Sequence, residues 1–127
     1  MNYHQRRFRG RNNSANGEVS HDTLFHYFQQ GELLSGHYAG GAIAQGQLLG
    51  KVLPDGSLEF LYQHLNAAGE LLAGRCRSTP ARAPDGRLIL HESWQWLTGD
   101  GSSGHSVVEE VSETSGIPHA VSPAVSP

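Results

Sequence analysis

A single cysteine, Cys76, stands in a chain of 127 residues, so no internal disulfide can form. No stretch approaches the roughly 20 consecutive apolar residues of a membrane-spanning helix. No apolar segment follows Met1 as a secretory leader requires. These absences lead to the expectation of a cytoplasmic protein with no membrane partner. Positive charge is also scarce. Nine Lys and Arg against twelve Asp and Glu leave a formal charge of −3, which argues against a nucleic-acid partner. The local exception is Arg6, Arg7, Arg9 and Arg11. On a strand Arg7, Arg9 and Arg11 share a face, which reads as charge protecting an edge strand from aggregation or as a phosphate-binding strip.

Cofactor signatures are missing as well. There is no Walker loop and no Gly-x-Gly-x-x-Gly fingerprint. The glycines at 46 and 50 fall on an expected strand, and those at 40 and 41 between two expected strands, not at a strand-to-helix turn. The eight histidines include no His-x-His and no His-Glu-x-x-His, and no second cysteine completes a zinc set. Neither a metal nor a cofactor is expected. Cys76 reads as a small buried apolar residue rather than a nucleophile.

What the chain does have is glycine, 16 residues, well above the usual ~7%. Much of it sits in regularly spaced turn signals: Gln30-Gly31-Glu32, Gly40-Gly41, Pro54-Asp55-Gly56, Ala68-Gly69-Glu70, Pro84-Asp85-Gly86 and Gly99-Asp100-Gly101. Gly supplies positive φ, Pro presets the first corner and Asp bonds its own backbone. Between the signals lie alternating segments that predict strands at 5–11, 23–29, 33–39, 42–52, 57–66, 71–79, 87–97 and 104–111. Residues 1–4 are expected to be loose and 12–20 to form a polar loop. The fold class is therefore all-β, an antiparallel up-and-down meander of about eight strands. A chain of this length hides its edges by closing them, which predicts a closed or nearly closed barrel. Residues 1–111 form the single domain. Residues 112–127, rich in Ser and Pro, are expected to be a flexible tail.

The alternation assigns the faces. Leu58, Phe60, Tyr62, His64 and Asn66 share one face of their segment, and Leu88, Leu90, Glu92, Trp94 and Trp96 share one face of theirs. Between them Leu72, Gly74, Cys76 and Ser78 match, with Phe25, Tyr27 and Tyr38 following from the earlier strands. This inner face is not purely apolar. A buried Glu needs a partner, and Tyr62, His64 or the Trp94 indole could supply it. Polar groups converging in an aromatic cup make a small-molecule site, so Tyr27, Tyr38, Tyr62, His64, Glu92, Trp94 and Trp96 are the candidate ligand-binding residues. The leading reading is a small, partly apolar ligand held in the barrel interior. One alternative is an enzyme using Glu92 and His64 as an acid–base pair. Another is a filled structural or interaction barrel with no ligand. Oligomeric state is left open.

Several segments resemble a small uncharacterised bacterial family: Asn16-Gly17-Glu18-Val19-Ser20, Tyr38 with Gly40-Gly41, Tyr62-Gln63-His64 to Asn66, and Gly74 with Cys76 and Ser78. The most specific is His91-Glu92-Ser93-Trp94-Gln95-Trp96 followed by Gly99-Asp100, Ser103-Gly104 and Glu109-Glu110. The resemblance spans roughly residues 3–111. Members often carry the label N-acetylglutamate synthase, which implies acetyl transfer from acetyl-CoA. The pyrophosphate turn of such enzymes reads Gln/Arg-x-x-Gly-x-Gly/Ala and opens a helix. The nearest segment here, Gln47-Leu48-Leu49-Gly50-Lys51-Val52, ends in Val and runs into Pro54-Asp55-Gly56. No residue role is carried over from the label. The expected fold is similar to the calycin group of small barrels, such as lipocalins and fatty-acid-binding proteins, at the level of fold alone.

Overall fold

The computed structural model describes residues 2–111; the expected tail, 112–127, lies outside them. Eight strands follow in chain order: β1 (Arg7–Asn13), β2 (Leu24–Gln30), β3 (Leu33–Gly40), β4 (Ile43–Val52), β5 (Leu58–Asn66), β6 (Leu71–Arg82), β7 (Leu88–Trp96) and β8 (Ser103–Glu110). Each pairs antiparallel with its neighbour, and β1 also pairs with β8, so the meander closes into a barrel. The all-β closed fold is thus as the turn spacing predicts.

The turns form for the reasons their residues supply. Asp55, Asp85 and Asp100 each accept the backbone N–H two residues on, at 2.9, 3.1 and 2.9 Å. Gly56, Gly86 and Gly101 then take φ of 88°, 92° and 70°, a region that side-chain-bearing residues avoid.

Two corrections concern the N-terminal segment. β1 is hydrogen-bonded on both sides and is not an edge, so its arginines guard none. Phe8 and Gly10 face inward, and a bulge between Gly10 and Asn12 shifts the register. Arg6 bonds Glu110 at 2.6 Å. Nor are residues 2–4 loose. Tyr3 is fully buried, and its hydroxyl donates to the Gly56 carbonyl at 2.5 Å. Gln5, at φ 64°, turns the chain so that its N–H reaches the Tyr27 carbonyl. Tyr3 therefore plugs one end of the barrel, the end that carries the β2–β3, β4–β5 and β6–β7 turns.

Inside, aromatic residues and glycines alternate around the barrel. Tyr27 lies opposite Gly36, Tyr38 opposite Gly46, Tyr62 opposite Gly74 and Trp94 opposite Gly104. A β-carbon at Gly46 would run into the Tyr38 ring and the His64 β-carbon; at Gly74 it would meet the Tyr62 hydroxyl. The glycines make room for rings from the neighbouring strand, the close approach for which strand glycines are kept. This explains the excess of glycine away from the turns.

Candidate functional site

The open end of the barrel is the one reached by the segment between β1 and β2, residues 14–23. There the inner face builds a cup in register rows. Gly46 lies between Tyr38 and His64, and with no side chain of its own it lets the two meet. The Tyr38 hydroxyl and His64 Nδ1 are 3.0 Å apart. Gly74 does the same for Tyr62 and Trp96, whose rings stand edge to face at 5.8 Å. Trp94 and Trp96 are 5.7 Å apart, and Phe25 stacks on Tyr38 at 4.9 Å.

Glu92 forms the polar point of the cup. Ser78 and Ser106 are its direct neighbours across β6 and β8. Both hydroxyls donate to its carboxylate, Ser78 to Oε2 at 3.0 Å and Ser106 to Oε1 at 2.9 Å. Burial pushes the Glu92 carboxyl above its ordinary 4.5, and the two serine hydroxyls pull it the other way. The expectation that Tyr62, His64 or the Trp94 indole would serve Glu92 is corrected. The Trp94 Nε1–H goes to Asn13 Oδ1 at 3.2 Å, and His64 has other partners. The short hydroxyls directly across from Glu92 on the two neighbouring strands reach the carboxylate instead. The Glu92–His64 acid–base pair does not form.

His64 instead joins Tyr38 to Glu18, its Nε2 lying 2.8 Å from Glu18 Oε1. With the Nε2–H donated to the carboxylate, Nδ1 is free to accept the Tyr38 hydroxyl, so one tautomer satisfies both bonds. Asn66 Nδ2 donates to the other Glu18 oxygen at 3.0 Å. Glu18 belongs to the segment, 12–20, expected to be a polar loop. That segment is tied across the mouth. Asn13 donates to the Val19 carbonyl at 3.0 Å, the Trp96 indole donates to the Asn16 carbonyl at 3.0 Å, and Asn16 reaches Ser102 Oγ and the Ser103 carbonyl, each at 3.0 Å.

Beneath the loop lies a cavity of about 40 Å³. One ordered water needs on the order of 10–15 Å³ of such space, so this is room for a few waters or one small ligand group. Six of the seven candidate residues line it: Tyr38, Tyr62, His64, Glu92, Trp94 and Trp96. Tyr27 sits outside the lining. It is fully buried against Phe8 at 5.0 Å, and its hydroxyl has no hydrogen-bond partner among the described residues. Glu18 and Asn13 are lining residues that strand periodicity could not find. Cys76 also lines the cavity. Burial, and then Glu92, push its thiol well above the ordinary 9.0, with the Ser78 hydroxyl opposing, which leaves it protonated and unreactive.

Residues 1–111 match a family described as "Avidin-like protein". The chain belongs to the avidin-like family. The match covers the whole barrel and stops where the described residues end. No curated protein and no solved structure matches the chain. An avidin-like barrel agrees with the calycin-type fold read from the sequence. The N-acetylglutamate synthase label finds no support: the described residues of this avidin-like chain contain no helix onto which an acetyl-CoA turn could open.

Proposed function

We propose that this avidin-like barrel binds a small, partly apolar molecule at its open end, between Glu92 and the loop that carries Glu18. The observation that carries the reading is the cavity itself, an aromatic cup with one buried carboxylate at its base and a loop tied over its mouth. Tyr38, Tyr62, Trp94 and Trp96 would supply the apolar walls, and Glu92 and His64 the orienting polar contacts. Membership of the avidin-like family supports small-molecule binding in general. It does not single out a ligand.

The test is to purify the protein under non-denaturing conditions and weigh it intact by native mass spectrometry. A co-purifying mass that is lost on Trp96→Ala supports the reading. A thermal-shift panel of small polar molecules, biotin among them, should contain compounds that raise the melting temperature. Binding at 100 times Kd stabilises by about 2.7 kcal/mol.

A filled barrel without ligand is the competing reading. Two observations favour it: the cavity is small, and the Tyr38, Ser78 and Ser106 hydroxyls, both carboxylates and both indoles around it already have partners inside the protein. That reading predicts no co-purifying mass and no thermal shift with any compound.

A further inference from the structure

The cavity lining contains two carboxylates, Glu18 and Glu92, and no Lys or Arg. The two acids are not equivalent. Glu18 is partly exposed and has His64 at 2.8 Å. Glu92 is buried, and among the described residues no cation pairs with it. Three arginines pair with other carboxylates, Arg6 with Glu110, Arg77 with Glu59, and Arg87 with Asp85 and Glu109, and the remaining Lys and Arg side chains are not part of the lining. Burying a carboxylate without a counter-charge is costly, because water is removed and nothing of opposite sign replaces it.

The hydrogen bonds at Glu92 are those of an acceptor. One hydroxyl donates to each oxygen, and each carboxylate oxygen has two lone-pair directions. One direction on each oxygen remains. Two acceptors in one plane suit a planar group with two N–H bonds, the geometry of carboxylate recognition by guanidinium. The surrounding walls agree. Faces of Trp and Tyr attract cations through the ring quadrupole, and the attraction grows when water is excluded.

We propose that the ligand presents a planar, cationic N–H donor head, an amidinium or guanidinium, to Glu92, with the aromatic cup enclosing it. This rests on the barrel being a small-molecule binder and names the chemistry of the group it takes. An anionic head is disfavoured because it would face Glu92 with no cation in the lining to compensate. A neutral amide or urea would supply the N–H bonds without the charge.

Three compounds of one shape separate these cases: acetamidinium, acetamide and acetate. Binding is followed by two-dimensional NMR at the indole N–H signals of Trp94 and Trp96. In the unmodified protein acetamidinium should bind at least about 10-fold more tightly than acetamide, the scale of one charged hydrogen bond, and acetate should leave the indoles unmoved. Glu92→Gln should abolish the preference for acetamidinium, and Glu92→Asp should retain it. Equal binding of acetamidinium and acetamide, tighter binding of acetate, or a preference that survives Glu92→Gln would each overturn the proposal. The rank order in unmodified protein decides the matter even if a variant fails to fold. If a co-purifying ligand is found but acetamidinium does not bind, the charge assignment is wrong while the binding function stands. If no ligand of any kind is found, the binding function itself falls.

Discussion

Tyr62 lies across Gly74, the residue directly opposite it on the next strand, and the same glycine separates Tyr62 from Trp96. Three positions in a row thus consist of ring, hydrogen and ring. The order also shapes the cavity, because both rings line it. A β-carbon at Gly74 would also come within 2.8 Å of the Gln95 carbonyl oxygen, and backbone gives way less readily than a side chain.

Gly74→Ala is therefore expected to destabilise the barrel by about 1–3 kcal/mol, the usual cost of overpacking. Urea denaturation with matched m-values checks this. Combining it with Tyr62→Ala should recover part of the loss, since the two residues occupy the same space. A neutral Gly74→Ala would show that the ring does not rest there.

Tyr27→Phe should stabilise the protein. The Tyr27 hydroxyl is buried and makes no hydrogen bond among the described residues. A buried polar group left unsatisfied costs ~1–3 kcal/mol, and Phe removes the group while keeping the ring against Phe8 and Phe60. A gain of about 1 kcal/mol in unfolding free energy, read as a higher denaturation midpoint at unchanged m-value, is expected. A loss of that size would reveal an ordered water serving the hydroxyl.

Glu92 should make the stability of the ligand-free barrel fall as pH rises. Burial raises its folded-state value above the 4.5 of an exposed carboxyl. Between those values the folded protein holds a proton that the unfolded chain has released. Stability is then lost as pH climbs from about 4.5 through the raised value. Glu92→Gln should flatten that part of the profile, because a Ser78 or Ser106 hydroxyl can reverse its role to accept from the amide. Parallel melts of the two proteins across that window make the comparison. Equal slopes would mean that Glu92 does not titrate differently on folding.

Glu18→Ala should loosen the loop more than it weakens the barrel. Glu18 joins the loop to His64 and Asn66, but it is partly exposed, so its bonds are discounted for solvent and about 1 kcal/mol of stability is at stake. The Trp96 indole is tied to the same loop through Asn16. Acrylamide should quench tryptophan emission more strongly in the variant, while the far-ultraviolet spectrum stays that of an all-β protein. Unchanged quenching would mean that the other ties hold the loop by themselves.

The eight strands were legible because the chain marks its own corners. Pro54-Asp55-Gly56 and Pro84-Asp85-Gly86 carry the turn chemistry on consecutive residues, and Phe60, Tyr62 and His64 keep an unbroken period of two. The carboxylate in the cup was legible for the same reason, as a charged residue on an otherwise apolar parity. Its partners were not, because naming them needs the register between strands. Ser78 and Ser106 become neighbours of Glu92 only once β6, β7 and β8 are aligned. Glu18 was invisible for a different reason. It lies among turn-forming residues with no period, and its partner His64 is 46 positions away. Tyr3 stands alone between polar residues, so nothing in its surroundings marks it as a plug.

The plug has a practical side. Tyr3 closes the end at which β1 begins, and the Val111 N–H is bonded to the Arg7 carbonyl at that same end. The Tyr3 segment and Val111 thus both lie opposite the cup. A surface or a carrier attached at Asn2 or Val111 would therefore hold the molecule upright with its opening turned outward, and would present the cup to the solution instead of blocking it.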